Sequence, residues 1–105
     1  MKRYALIPTL LAMAALPALA DSAAGKAIFE KSCKGCHGAS GQGNPAIAKM
    51  MKVEMHSLGA KGVQTKSDAD LKQVVVKGTG KMKPVASLTA EQTADVIAFV
   101  RTLKL

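Results

Sequence analysis

Both cysteines of this 105-residue chain fall in one short stretch, Cys33-Lys34-Gly35-Cys36-His37. That clustering closes off several folds. A disulfide-rich scaffold needs more cysteines, and a structural zinc site built from cysteine alone needs four. The length allows one domain and excludes a large multi-domain enzyme. Apolar residues make up 49% of the chain, which argues against disorder, yet its aromatics are only Tyr4, Phe29 and Phe99. Chains this short bury little surface and are often marginal without a metal, a disulfide or a cofactor. Two rings after residue 20 are few for a self-sufficient core. Something other than side chains is expected to fill the middle.

The first twenty residues differ from the rest. Met1-Lys2-Arg3 is a short positive start, Ala5 to Ala20 is almost wholly apolar, and Ala18-Leu19-Ala20 precedes Asp21. A charged n-region, an apolar h-region and an A-x-A site predict a cleaved export signal over 1–20. The apolar run carries Pro8 and Pro17 and is shorter than the ~20 apolar residues of a spanning helix. No membrane anchor is therefore expected after cleavage, and no cysteine follows the cut to take a lipid. The expected mature domain is 21–105. Losing Lys2 and Arg3 with the leader lowers the formal charge from +8 to +6.

The apolar pattern is helical wherever it is clear, with no tandem repeat or low-complexity tract. Asp21-Ser22 can cap a helix running through Ala23, Ala24, Ala27, Ile28 and Phe29 toward Cys36. Gly38 to Pro45 reads as a loop. A short helix with Pro45 as its first residue takes in Ile47, Met50 and Met51. His56 to Lys66 has no assignable pattern. Ser67 opens another helix, with Leu71, Val74 and Val75 on one face, Asp68 and Asp70 in the first turn, and Gly78 as the stop. Val74-Val75-Val76 is β-branched, but the caps on both sides favour helix over strand. Thr89 caps the last helix, with Gln92 completing a capping box. Val96, Phe99, Val100 and Leu103 form its expected buried stripe, with Ala94, Ile97, Ala98 and Arg101 on another side. The sum is an all-α domain of about four helices and long loops, and such loops in a small domain usually wrap something.

C-x-x-C-H is the attachment signature of a c-type haem. Two thiols three residues apart on a helical turn lie on one side, within reach of two vinyl groups. Thioether bonds from Cys33 and Cys36 would fix the porphyrin, and His37 would come up under the iron as proximal ligand. A thioredoxin-like dithiol is the competing reading, but it expects alternating strands and helices. For the second axial ligand the candidates are Met50, Met51, Met55, His56 and Met82. Helix-spaced methionines are usually core packing, and His56 can simply sit on the surface. Met82 lies in the polar loop Gly78-Thr79-Gly80-Lys81-Met82-Lys83-Pro84, where a lone thioether has no packing reason, and it is the favoured candidate. The Gly-rich loop Gly38 to Gly43 follows a helix and lacks Gly-Lys-Ser/Thr, so it reads as a turn and not a phosphate cradle.

With these motifs in place, the sequence resembles the class I monohaem cytochromes c of the short bacterial periplasmic type. The resemblance spans the whole expected mature chain. It rests on C-x-x-C-H near the start, the Gly-x-Gly-Lys-Met loop, and the last helix Leu-Thr-Ala-Glu-Gln-Thr-Ala-Asp-Val-Ile-Ala-Phe-Val. It implies one covalently attached haem c, His37/Met82 axial ligation, and close crossing of the N- and C-terminal helices. Gly25 resembles the small residue at that crossing, with Phe29, Val96 and Phe99 as its packing partners. Pro45 resembles the family proline whose carbonyl accepts a hydrogen bond from the proximal histidine, which would orient His37 and raise its basicity. One departure is that Lys83 separates Met82 from Pro84 where many members read Met-Pro.

The implied activity is one-electron transfer in a respiratory chain by a monomer in the periplasm, as a carrier and not an enzyme. Lys34, Lys81 and Lys83 flank the two ligand segments and are expected to dock an acidic redox partner. Lys26, Lys31, Lys49, Lys52 and Lys61 add to a positive surface. Nucleic acid is not an expected partner, because no aromatic stacking platform exists. The alternatives are a haem-bearing subunit of a periplasmic oxidoreductase, a haem sensor or peroxidase if Met82 leaves the iron open, and a haem-free thiol–disulfide oxidoreductase.

Overall fold

Asp21 is the N-cap of the first helix, α1 (Ser22–Ser32), its carboxylate accepting from Ala23 N at 2.9 Å and Ala24 N at 3.2 Å. The computed structural model describes Arg3 and residues 19–105. The rest of the expected leader lies outside the described residues. After a break at Cys33 comes α2 (Lys34–His37), then α3 (Pro45–Met51), α4 (Lys61–Gln64), α5 (Asp68–Lys77) and α6 (Ala90–Thr102). Among the described residues there is no strand, only an isolated bridge between Thr79 and Met82. The all-α expectation therefore holds, with two differences in detail. The first helix is broken at Cys33, whose φ of −120° leaves the helical region. The patternless stretch after His56 contains the single turn α4.

Side-chain caps account for the starts of α1, α3, α5 and α6. Asn44 Oδ1 accepts from Ala46 N and Ile47 N, and Pro45 follows as the first residue of α3. Ser67 caps α5 through Asp70 N. Thr89 and Gln92 form a reciprocal capping box at α6, with bonds of 3.1 and 2.9 Å.

The core is the crossing of α1 and α6. Phe29, Val96, Phe99 and Val100 form its buried cluster, and Ile28, Cys33, Leu58, Leu88 and Leu103 pack against it half-covered. Phe29 is 1% exposed and Val96 2%, each contributing about 2 kcal/mol by removal from water. The Phe29 and Phe99 rings stand 5.0 Å apart with a 52° tilt, adding ~1 kcal/mol. Gly25 makes the crossing close, because a Cβ there would sit 1.9 Å from the Asp95 carbonyl oxygen. Ile97 is also buried, and it lines the groove where α5 meets α6. The buried part of α6 is thus wider than the expected stripe, and Leu103 at its end is only half-buried.

The long segment between α3 and α4 is fixed by bonds from distant parts of the chain. Leu58 N donates to Gly41 O at 2.8 Å, and Leu105 N donates to Gly59 O at 3.0 Å. Gln64 Nε2 donates to Leu58 O and to Val100 O. Arg101 reaches from α6 to Gln64 O, Lys66 O and the Asp68 carboxylate.

Candidate haem-binding site

Cys33 ends α1 and starts the next turn. Its N–H donates to Phe29 O at 2.9 Å, and its carbonyl accepts from Cys36 N and His37 N. Cys33 is thereby attached to the aromatic core on one side and to the Cys36-His37 turn on the other. Both thiols are free. Cys33 is half-buried and Cys36 exposed. Burial pushes the Cys33 thiol up from its ordinary value, and the neighbouring Cys36 adds to the shift. Burial also holds the His37 imidazole below the usual histidine value. At neutral pH His37 is therefore neutral, the form in which imidazole binds a metal.

Asn44 is the residue that sequence reasoning missed here. Its Nδ2 donates to Gly35 O at 3.2 Å while its Oδ1 caps α3. Its backbone N–H donates to Cys36 O at 3.0 Å, and Gly43 N donates to His37 O at 2.6 Å. One side chain thus couples the Cys-His turn to the next helix. The sequence signal was present as an Asx-Pro pair at a helix start, but its second bond depends on the path of the loop. Pro45 sits at the start of α3. His37 Nδ1 is buried and, among the described residues, finds no hydrogen-bond partner, the Pro45 carbonyl included.

Met82 is half-buried at the close of a tight turn. Met82 N donates to Thr79 O at 2.9 Å, and Thr79 N donates to Met82 O at 3.1 Å. Gly78 has φ +73°, and a Cβ there would meet Met82 O at 2.4 Å, so only glycine fits against the loop. Val85 N donates to Val75 O of α5 at 2.8 Å. Lys81 Nζ donates to Met51 O at the end of α3, where the helix dipole favours a cation. Of the other ligand candidates, Met50 is 71% exposed and His56 is an exposed neighbour of Glu54. Lys34 and Lys83 are exposed, as is Lys81.

The residues fit a covalently attached haem. Two unpaired thiols and a neutral imidazole follow one another in a turn, and the imidazole carries a buried nitrogen that no described residue satisfies. Apolar side chains are also left half-covered around the molecule. Neither α3 nor α4 buries any residue, and Ile47, Met51, Val53, Met55, Val63, Met82 and Val85 are all intermediate. Among the described residues no cluster of three His, Cys, Asp or Glu offers a rival metal site.

A helical fold closed by its terminal helices, carrying C-x-x-C-H after the first, defines a haem c protein. The cytochrome c family profile matches residues 22–104. The chain is 34% identical over 89 residues to cytochrome c-554(547) of Halothiobacillus neapolitanus, covering 80% of this chain and 98% of that protein. In fold it is similar to the c-type cytochrome KustC0563, with a TM-score of 0.67 at 24% identity over 77% of this chain and 98% of the other. The chain belongs to the cytochrome c family, as a class I monohaem cytochrome c, and its cofactor is haem c.

Proposed function

We propose that this haem-based electron carrier works in the periplasm with His37 and Met82 as axial ligands, exchanging single electrons between proteins of a respiratory chain. The bound haem supplies one-electron exchange between Fe(III) and Fe(II), and a thioether ligand favours the reduced state. Cys33 and Cys36 supply the thioether bonds. His37 supplies a neutral nitrogen, and the Asn44 bonds hold the turn that carries it. Two axial ligands leave no open position for a substrate, which is why the chain reads as a carrier and not a catalyst. Export follows from the leader over 1–20. Among the described residues no helix is long and apolar enough to cross a membrane.

The observation that carries the ligand assignment is the Met82 loop. The polar loop that carries the half-buried Met82 is held by its own turn, by Val75 on α5 and by Met51 on α3. The test is the absorption spectrum of the purified exported protein, oxidised and then reduced, repeated on Met82→Ala. The weak far-red band of ferric iron bonded to methionine sulfur is expected in the parent and absent from the variant. A haem-loaded parent without that band means an open or nitrogen-ligated iron and favours a sensor or peroxidase. Absence of haem when attachment machinery is present returns the chain to a dithiol protein.

A further inference from the structure

The start of α1 and the middle of α6 are joined by a bond that haem binding does not use. The backbone N–H of Asp21 donates to Asp95 Oδ1 at 2.8 Å. Asp95 is only 8% exposed, and its backbone carbonyl is the group that lies over Gly25. Among the described residues the ion pairs are Arg101 with Asp68 and His56 with Glu54, and neither includes Asp95. The Asp95 carboxylate thus accepts a neutral amide and has no cation beside it among the described residues. The amide that holds it is the nitrogen directly after Ala18-Leu19-Ala20.

We propose that Asp95 is the receptor for the N-terminal ammonium that leader removal creates at Asp21. The proposal rests on the reading that cleavage falls between Ala20 and Asp21. A leader-cleaving peptidase adds water across that peptide bond. The Ala20 carbonyl leaves as a carboxylate, and Asp21 keeps the amine, which takes a proton and is mostly ammonium at pH 7. The neutral bond to Asp95 Oδ1 becomes a charge-assisted one, with the acceptor already in position. An ammonium at a helix start is opposed by the helix dipole. Asp21 Oδ1 already accepts from Ala23 N and Ala24 N, and Asp95 Oδ1 is the acceptor that α6 places on the amine nitrogen. The α1/α6 crossing is then tightest in the processed chain, and maturation itself strengthens the fold that carries Cys33.

The test uses the exported, haem-loaded protein in four forms. Two begin at Asp21 and two begin at Leu19 through a relocated cleavage site, each with Asp95 or with Asp95→Asn. The amide is nearly isosteric and keeps an oxygen to accept the bond. In denaturant unfolding, Asp95→Asn is expected to lower the folding equilibrium constant about fivefold to tenfold more in chains that begin at Asp21. With Asp95 intact, the Asp21-initiated chain is expected to be the more stable of the two. Equal losses at both starts overturn the proposal and leave the contact a plain hydrogen bond. The intact mass of the natural export product reads the cleavage site independently. A product that begins elsewhere removes the cleavage reading and the proposal with it.

Discussion

A glycine inside a helix ordinarily costs about 1 kcal/mol relative to alanine, so Gly→Ala is stabilising where space is open. At Gly25 the sign should reverse. The added methyl meets the Asp95 carbonyl oxygen at 1.9 Å and its carbon at 2.4 Å, and backbone cannot rotate away as a side chain can. Gly25→Ala is expected to cost about 3 kcal/mol, the upper range of overpacking. Gly62→Ala, where nothing lies within 4 Å, should leave stability unchanged or raise it slightly. Denaturant midpoints of the two holoproteins check the contrast, and equal effects would mean that the helices can part without loss. The same scale shows what composition hides. Cys33, Cys36 and His37 can be read from the sequence because the chemistry fixes their spacing. Asp95 cannot, because its partner Asp21 lies 74 residues away, and of Asn44 only the helix cap is legible, since its bond to Gly35 O depends on the path of the loop.

Among the helices that carry side-chain caps, starts were readable and partners were not. Asp21, Ser67 and Thr89 act within three residues of themselves, so local sequence contains the whole interaction. The turn α4 has no such signal. Gln64 bonds to Leu58 and Val100, and Arg101 donates to Gln64 O, so the turn is tied in by contacts from outside it. The break at Cys33 was hidden for a related reason, since apolar periodicity carries through a single residue that leaves helical geometry. Arg101 supplies a prediction at this scale. Its partner Asp68 has a side chain 76% exposed, and exposed ion pairs contribute ~0–1 kcal/mol. Its two bonds to backbone carbonyls, 2.9 Å to Gln64 and 2.7 Å to Lys66, tie α4 and the start of α5 to α6. Arg101→Met is therefore expected to cost about 2 kcal/mol and Asp68→Asn less than half of that. Thermal unfolding of the two variants decides between them, and equal losses would make the ion pair the main tie.

For the whole molecule the main electrostatic fact is the excess of Lys and Arg, 15 against 7 Asp and Glu. Net charge alone raises encounter rates with any acidic partner, whereas a docking face requires that position matter. Lys34 lies inside the Cys-His turn and Lys83 directly after Met82, both exposed. Lys81 is adjacent but already donates to Met51 O, so its substitution would disturb the loop as well as the surface and is a poor probe of docking. Lys72 lines the groove between α5 and α6, which none of the motif residues enters. Lys34→Glu, Lys83→Glu and Lys72→Glu change the net charge equally. If the face around the two ligand segments meets the partner, the first two should slow electron transfer with an acidic redox protein several-fold at low salt. They should also flatten its dependence on ionic strength, while Lys72→Glu does little of either. Stopped-flow rates over a salt series make the comparison. Three equal effects would reduce the lysine surface to a diffuse field, and convergence of all four proteins at high salt is required in either case, because screening removes steering beyond ~10 Å at 0.1 M ionic strength.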